Sequence, residues 1–173
     1  MRLLITAYLF FFLSYGYSNE TINIASKYNN FISHSSKSYF IQHERKEIFQ
    51  VKILKSNTEL SQGFSGIRAE QVEDHQGLFF WFPNTSIKNF WMPNTFFDLR
   101  IIYLDKNLKV VHIIEKAPHH IGFSEKKQQI YRAPGVKSRY VLEIKASSAQ
   151  GKKIKVGDLF KWIKENPTIF QKK

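Results

Sequence analysis

Residues 80–103 read FWFPNTSIKNFWMPNTFFDLRIIY, and the fold turns on this stretch. One phrase occurs twice, ten residues apart: Phe80-Trp81-Phe82-Pro83-Asn84-Thr85 and Phe90-Trp91-Met92-Pro93-Asn94-Thr95. Each copy is an aromatic run halted by Pro-Asn-Thr. Proline fixes φ and has no N–H, and asparagine tolerates the left-handed region while bonding nearby backbone. The expectation is strand, turn, strand, turn, strand, with large aromatics filling a small core.

Working outward, the segment after the repeat alternates clearly. Phe97, Leu99, Ile101 and Tyr103 fall on one face, then Asp105-Lys106-Asn107 turns and Leu108 to Glu115 returns as a hairpin partner. Residues 117–138 form a long loop able to make a lip over a site. Arg139 to Lys145 is a further strand with Tyr140, Leu142 and Ile144 inward. On the upstream side, Glu47 to Lys55 alternates as a half-buried strand. Asn57 to Gly63 reads as a short helix capped by Asn57 or Thr58 and ended by Gly63. A strand at Tyr39 to Gln42 is weakly marked, and Leu159 to Ile163 closes the chain as a strand or turn. The fold class expected is mostly β: a compact antiparallel small barrel or sandwich of seven to eight short strands with one or two short helices.

Four segments are expected: 1–18 a signal peptide, 19–45 a spacer, 46–163 one β-rich domain and 164–173 a basic tail. Arg2 and the apolar run Leu3 to Leu13 precede Gly16-Tyr17-Ser18, the small-x-small pattern that places cleavage before Asn19. The apolar run is short of the ~20 residues that span a bilayer. The expected location is therefore periplasmic or extracellular, with no membrane span after cleavage. An uncleaved N-terminal anchor is the other reading. The absence of cysteine removes disulfides, thiol nucleophiles and thiolate metal sites. A net charge of +12 favours polyanions or serves solubility alone, and for an exported chain anionic lipids, envelope polymers or acidic proteins rank at least level with nucleic acid.

The order of motifs is similar to a bacterial and archaeal family, Domain of Unknown Function 192. The resemblance lies in Gly77-Leu78-Phe79-Phe80, Phe90 to Thr95, Ile101 to Asp105, Val110 to Ile113, Val141-Leu142-Glu143-Ile144 and Ile154 to Asp158. It covers roughly residues 47–160 and implies a small β-rich domain, often exported, with no established activity. Three departures stand out: Gly63-Phe64-Ser65 replaces the family's Gly-Leu-Met, Asp98-Leu99-Arg100 replaces Pro-Leu-Asp, and Ala146-Ser147 lacks the usual glycine. Arg100 thus stands, with reversed charge, at the family's aspartate position.

Candidate ligand-binding residues are Trp91, Asn94, Thr95, Asp98, Arg100, His119 and His120. Trp91 with Asn94 and Thr95 is either an aromatic shelf of the kind that holds sugars or core filler beside a turn. Asp98 and Arg100, two apart, are either a surface ion pair or contacts to a polar ligand. His112, His119 or His120 with Glu143 allow a metal only in principle, because no ligand spacing supports it. His34, His43 and His75 carry no signal. Glu143 lies opposite Tyr140, Leu142 and Ile144 and is expected at the surface. A basic patch is drawn from Lys145, Lys152, Lys153, Lys155 and Lys161, with Lys164 and Trp162 nearby. No cofactor and no metal are expected, and the chain is read as a monomer. The leading reading is a non-enzymatic binding module for an envelope glycan, anionic polymer or protein. The alternatives are a small hydrolase or transferase using Asp98, His119, His120 and Glu143, with or without a metal, and nucleic-acid binding through the basic face.

Overall fold

The computed structural model describes residues 39–44 and 46–163. The segments expected to be a signal peptide, most of the spacer and the basic tail, with Lys164, lie outside the described residues. Seven strands form one curled sheet: β1 (Tyr39–His43), β2 (Ile48–Leu54), β3 (Gln76–Lys88), β4 (Leu99–Leu104), β5 (Val110–Ala117), β6 (Val136–Lys145) and β7 (Phe160–Ile163), with helix α1 (Asn57–Gln62) after β2. The strand order is β5-β4-β6-β3-β2-β1-β7. All pairings are antiparallel except β2 with β3, which run parallel across the α1 crossover. A bridge from Lys109 to Leu159 draws the two edge strands together at one end, so the sheet is a half-barrel.

The sheet starts at Tyr39, inside the stretch read as spacer, because β1 is held on both sides, by β2 and by β7. The concave interior takes side chains from all seven strands: Ile41, Phe49, Val51, Phe79, Ile102, Leu104, Val110, Tyr140, Leu142, Ile144 and Phe160. The opposite face of β3, β4 and β6 is also buried. Leu78, Phe80, Leu99, Ile101, Tyr103 and Val141 pack there under Phe64, Ile67, Val72, Met92 and Phe97.

Part of that covering layer comes from the aromatic repeat, whose two copies do different jobs. In the first, β3 runs straight through Pro83-Asn84-Thr85 instead of turning. Its pairing with β2 ends at Phe80, and its register with β6 slips between Trp81 and Ser86, so Pro83 sits where no ladder donor is required. The second copy leaves the sheet. Met92 N–H donates to Tyr131 O (3.1 Å), Ala133 N–H to Phe90 O (2.7 Å) and Asn94 N–H to Gly122 O (2.7 Å). Residues 90–95 therefore pair with the long loop and not with a strand. Asn94, at φ +49°, makes the turn that its residue type allows.

Candidate functional site

Glu143 is the residue around which the site assembles. It shares the outer face of β6 with Val141, opposite Tyr140, Leu142 and Ile144, as strand alternation requires. It is not on the surface, however: only 4 % of it is exposed. The expectation of a solvated Glu143 fails because that face is roofed by α1, the turn after it and residues 89–95.

The roof is built locally. Helix α1 is capped by Ser56, not by Asn57 or Thr58. Ser56 Oγ accepts from Glu59 N–H (3.3 Å) and Glu59 Oε2 accepts from Ser56 N–H (3.1 Å). Gly63 ends the helix at φ +49°, ψ −131°, donating its N–H to Glu59 O. A Cβ built on Gly63 would lie 3.3 Å from the Phe80 ring and 3.5 Å from Glu143 Oε2. The glycine therefore both takes the turn and keeps space open above the carboxyl group.

That space is a cavity of about 310 Å³. Phe80, Phe82, Phe90 and Trp91 supply aromatic walls, and Ser61, Gln62, Ser65 and Asn89 supply amides and hydroxyls. Phe80 and Phe90 meet edge to face at 5.0 Å between centroids. Trp91 stands half out of the protein, 52 % exposed, while its neighbour Met92 is buried. Two aromatics of the wall carry cations of the chain: Lys88 Nζ lies 3.9 Å from the Phe82 centroid and the Arg132 guanidinium 5.8 Å from that of Trp91. Among the described residues lining the cavity, Glu143 is the one ionisable side chain. Burial pushes its pKa up to about 8, with no charge or hydrogen bond from the described residues to oppose it. On the same face of the sheet the Tyr103 hydroxyl is buried without a hydrogen-bond partner among the described residues, and burial and then Glu143 push its pKa up.

The other sequence candidates separate into different places. Trp91 and Thr95 reach the Glu143 cavity. Thr95 donates Oγ1–H to Pro93 O (3.2 Å), and Asn94 Oδ1 accepts from Gly122 N–H (3.3 Å), so both tie the covering layer together. Asp98 and Arg100 line a second, charged hollow with Lys145 and Lys152, but they do not pair with each other. Arg100 is buried, bound to Glu115 and donating to Ile154 O (2.8 Å). Desolvation lowers the pKa of its guanidinium. Asp98 takes Lys116 (3.1 Å) and His119 Nδ1 (2.6 Å) instead. Burial works to raise its pKa, but the bonds from His119 and Lys116 prevail and lower it. A third hollow is lined by His119 and His120, which take different partners: His119 Nδ1 meets Asp98 and His120 Nε2 bonds Ser124 O (3.0 Å). In the basic patch, Lys145 faces Asp74 (3.9 Å) and Lys153 holds Glu47 (3.0 Å), while Lys152, Lys155 and Lys161 are exposed.

His43, which carries no sequence signal, is fully buried. Its Nε2 lies 2.6 Å from Asp158 Oδ2 and its Nδ1 3.1 Å from Glu47 Oε2. Asp158 Oδ2 also accepts from Lys155 N–H (2.7 Å), so the group latches β1 to the turn before β7. His43, Glu44 and Asp158 offer ligand atoms within 4.8 Å of one another, but both His43 nitrogens already face carboxylates. Among the described residues no helix is long and apolar enough to cross a membrane.

No curated protein matches the chain. Two crystal structures share its fold. One is a protein of unknown function from Novosphingobium aromaticivorans DSM 12444, 24% identical, with a TM-score of 0.56 over 72% of this chain and 84% of that one. The other, from Sinorhizobium meliloti 1021 and provisionally named a transcription regulator, is 21% identical, with a TM-score of 0.57 over 73% of this chain and 94% of that one. The family model of DUF192, described as Uncharacterized ACR, matches residues 40–162, nearly the whole of the described sheet and its covering layer. The chain therefore belongs to the Domain of Unknown Function 192 family.

Proposed function

We propose that this chain is an exported, monomeric binding module that holds a terminal sugar of an envelope glycan in the Glu143 cavity. One observation carries the reading. Aromatic walls with an exposed tryptophan at the edge converge with Ser61, Gln62, Ser65, Asn89 and a carboxyl group on one concave space. Rings cover the apolar face of a sugar while amides and hydroxyls fix its orientation. At about 310 Å³ the cavity is at the small end of ligand sites, which run from about 300 to 1,000 Å³, so it suits one ring rather than an extended chain. Export rests on the signal-like segment at residues 1–18.

A hydrolase or transferase built from Asp98, His119, His120 and Glu143 needs those groups in one site; Asp98 and His119 meet, but Glu143 lines a different hollow from all three. An anionic polymer or nucleic acid would use the lysine face, where Lys145 and Lys153 already face acids. The test is a thermal-shift series on the purified protein with envelope oligosaccharides and anionic polymers. A ligand at 100 times its Kd stabilises the native state by about 2.7 kcal/mol. A glycan shift that disappears in Trp91→Ala supports the reading. A shift only with polyanions, lost on substituting Lys152 and Lys153, overturns it.

A further inference from the structure

We infer that the sugar this cavity accepts carries a free amino group, whose ammonium sits against the Glu143 carboxylate inside the aromatic walls. The inference rests on the glycan reading above and names the chemistry of its ligand.

Three observations point to a cation. First, Glu143 is a buried acid that lines an open cavity and, among the described residues, receives no charge and no hydrogen bond. Buried carboxylates are ordinarily paired, and this one has no partner among the described residues. Second, the walls around it are the faces and edges of Phe80, Phe82, Phe90 and Trp91. Aromatic faces attract ammonium groups, and the chain already uses them so, with Lys88 over Phe82 and Arg132 over Trp91. Third, residue 63 has no Cβ, which would otherwise stand 3.5 Å from Glu143 Oε2 and narrow the room for a group against the carboxylate.

An ammonium entering this space supplies the missing counter-charge. The Glu143 proton is given up as the pair forms, to water or to the amine when the sugar arrives as the free base. The sugar hydroxyls are left for Ser61, Gln62, Ser65 and Asn89. An uncharged sugar would instead accept a hydrogen bond from the protonated carboxyl group. The two cases differ in what they require of residue 143: the cation needs a negative charge, whereas the neutral sugar needs only a donor, which glutamine also provides.

The experiment is isothermal titration of the purified protein with glucosamine, N-acetylglucosamine and glucose at about pH 7. Glucosamine is expected to bind at least about tenfold more tightly than the other two, because only its nitrogen is charged. In Glu143→Gln that preference is expected to vanish. The first comparison uses wild-type protein alone, so it stands even if the variant folds poorly. Equal binding of the three sugars overturns the inference and leaves the glycan reading in place. A glucosamine preference that survives in folded Glu143→Gln also overturns it, since the amine is then recognised elsewhere. Failure of every sugar to bind overturns both.

Discussion

The Cα of Gly63 stands directly over the Glu143 carboxyl group, so that a single added carbon would come within 3.5 Å of Oε2. The helix terminator and the buried acid are eighty residues apart in sequence and form one device. Gly63→Ala is therefore expected to act twice. An alanine at φ +49°, ψ −131° is strained, and its Cβ crowds Phe80. Chemical denaturation should show a loss of about 1–3 kcal/mol. Ligand affinity should fall as well, because the carbon occupies the cavity.

Glu143 also ties stability to pH. Its carboxyl group titrates near 8 in the folded protein, above the ordinary glutamate value. The folded state thus holds a proton that the unfolded state has released, and stability declines as pH rises between about 4.5 and 8. Below that window the contribution is fully present; above it, it is lost. Tyr103, buried in the core on the same face of the sheet, stays protonated throughout because its own pKa is pushed up. Melting curves across this range should slope downward in the wild type by a few kcal/mol more than in Glu143→Gln.

Arg100 and Glu115 are unequal partners, one buried and one with 70% of its side chain exposed. Arg100→Leu strips a bond from the Ile154 carbonyl and leaves Glu115 free in water, with an expected cost of about 2–4 kcal/mol. Glu115→Gln keeps a hydrogen-bond acceptor and should cost roughly 1 kcal/mol. Urea midpoints of the two variants test this asymmetry.

Trp91 packs little, being half exposed. Trp91→Ala should change stability by less than about 1 kcal/mol while weakening glycan binding at least about tenfold. Paired thermal melts and titrations separate the two effects.

Much of the sheet was legible from alternation. Phe97, Leu99, Ile101 and Tyr103 share a buried face as their spacing requires, and Asp105 closes the β4–β5 turn by accepting from Asn107 N–H (2.7 Å) and Lys109 N–H (2.9 Å). The parallel β2–β3 pair was not legible, because alternation does not report strand direction. Nor was the second role of the repeat: Phe90 to Thr95 has the composition of a strand, but its partners are backbone groups about 25–45 residues downstream. The site was obscured for a related reason. Tyr140 to Ile144 is apolar on both parities apart from Glu143, the pattern of a strand covered on both faces. Read that way, the acid is a buried polar group in need of an explanation. Asp98 and Arg100 were grouped by their i, i+2 spacing, yet each found a nearer opposite charge in the fold.

The most direct measurement is a carbon-13 NMR titration of the Glu143 carboxyl group, assigned through Glu143→Gln, with and without glucosamine. The expected result is a midpoint near 8 in the free protein that moves down when the amino sugar is bound, because a paired ammonium favours the ionised acid. A midpoint in the ordinary glutamate range, unmoved by the sugar, would contradict both the buried acid and the ligand assigned to it.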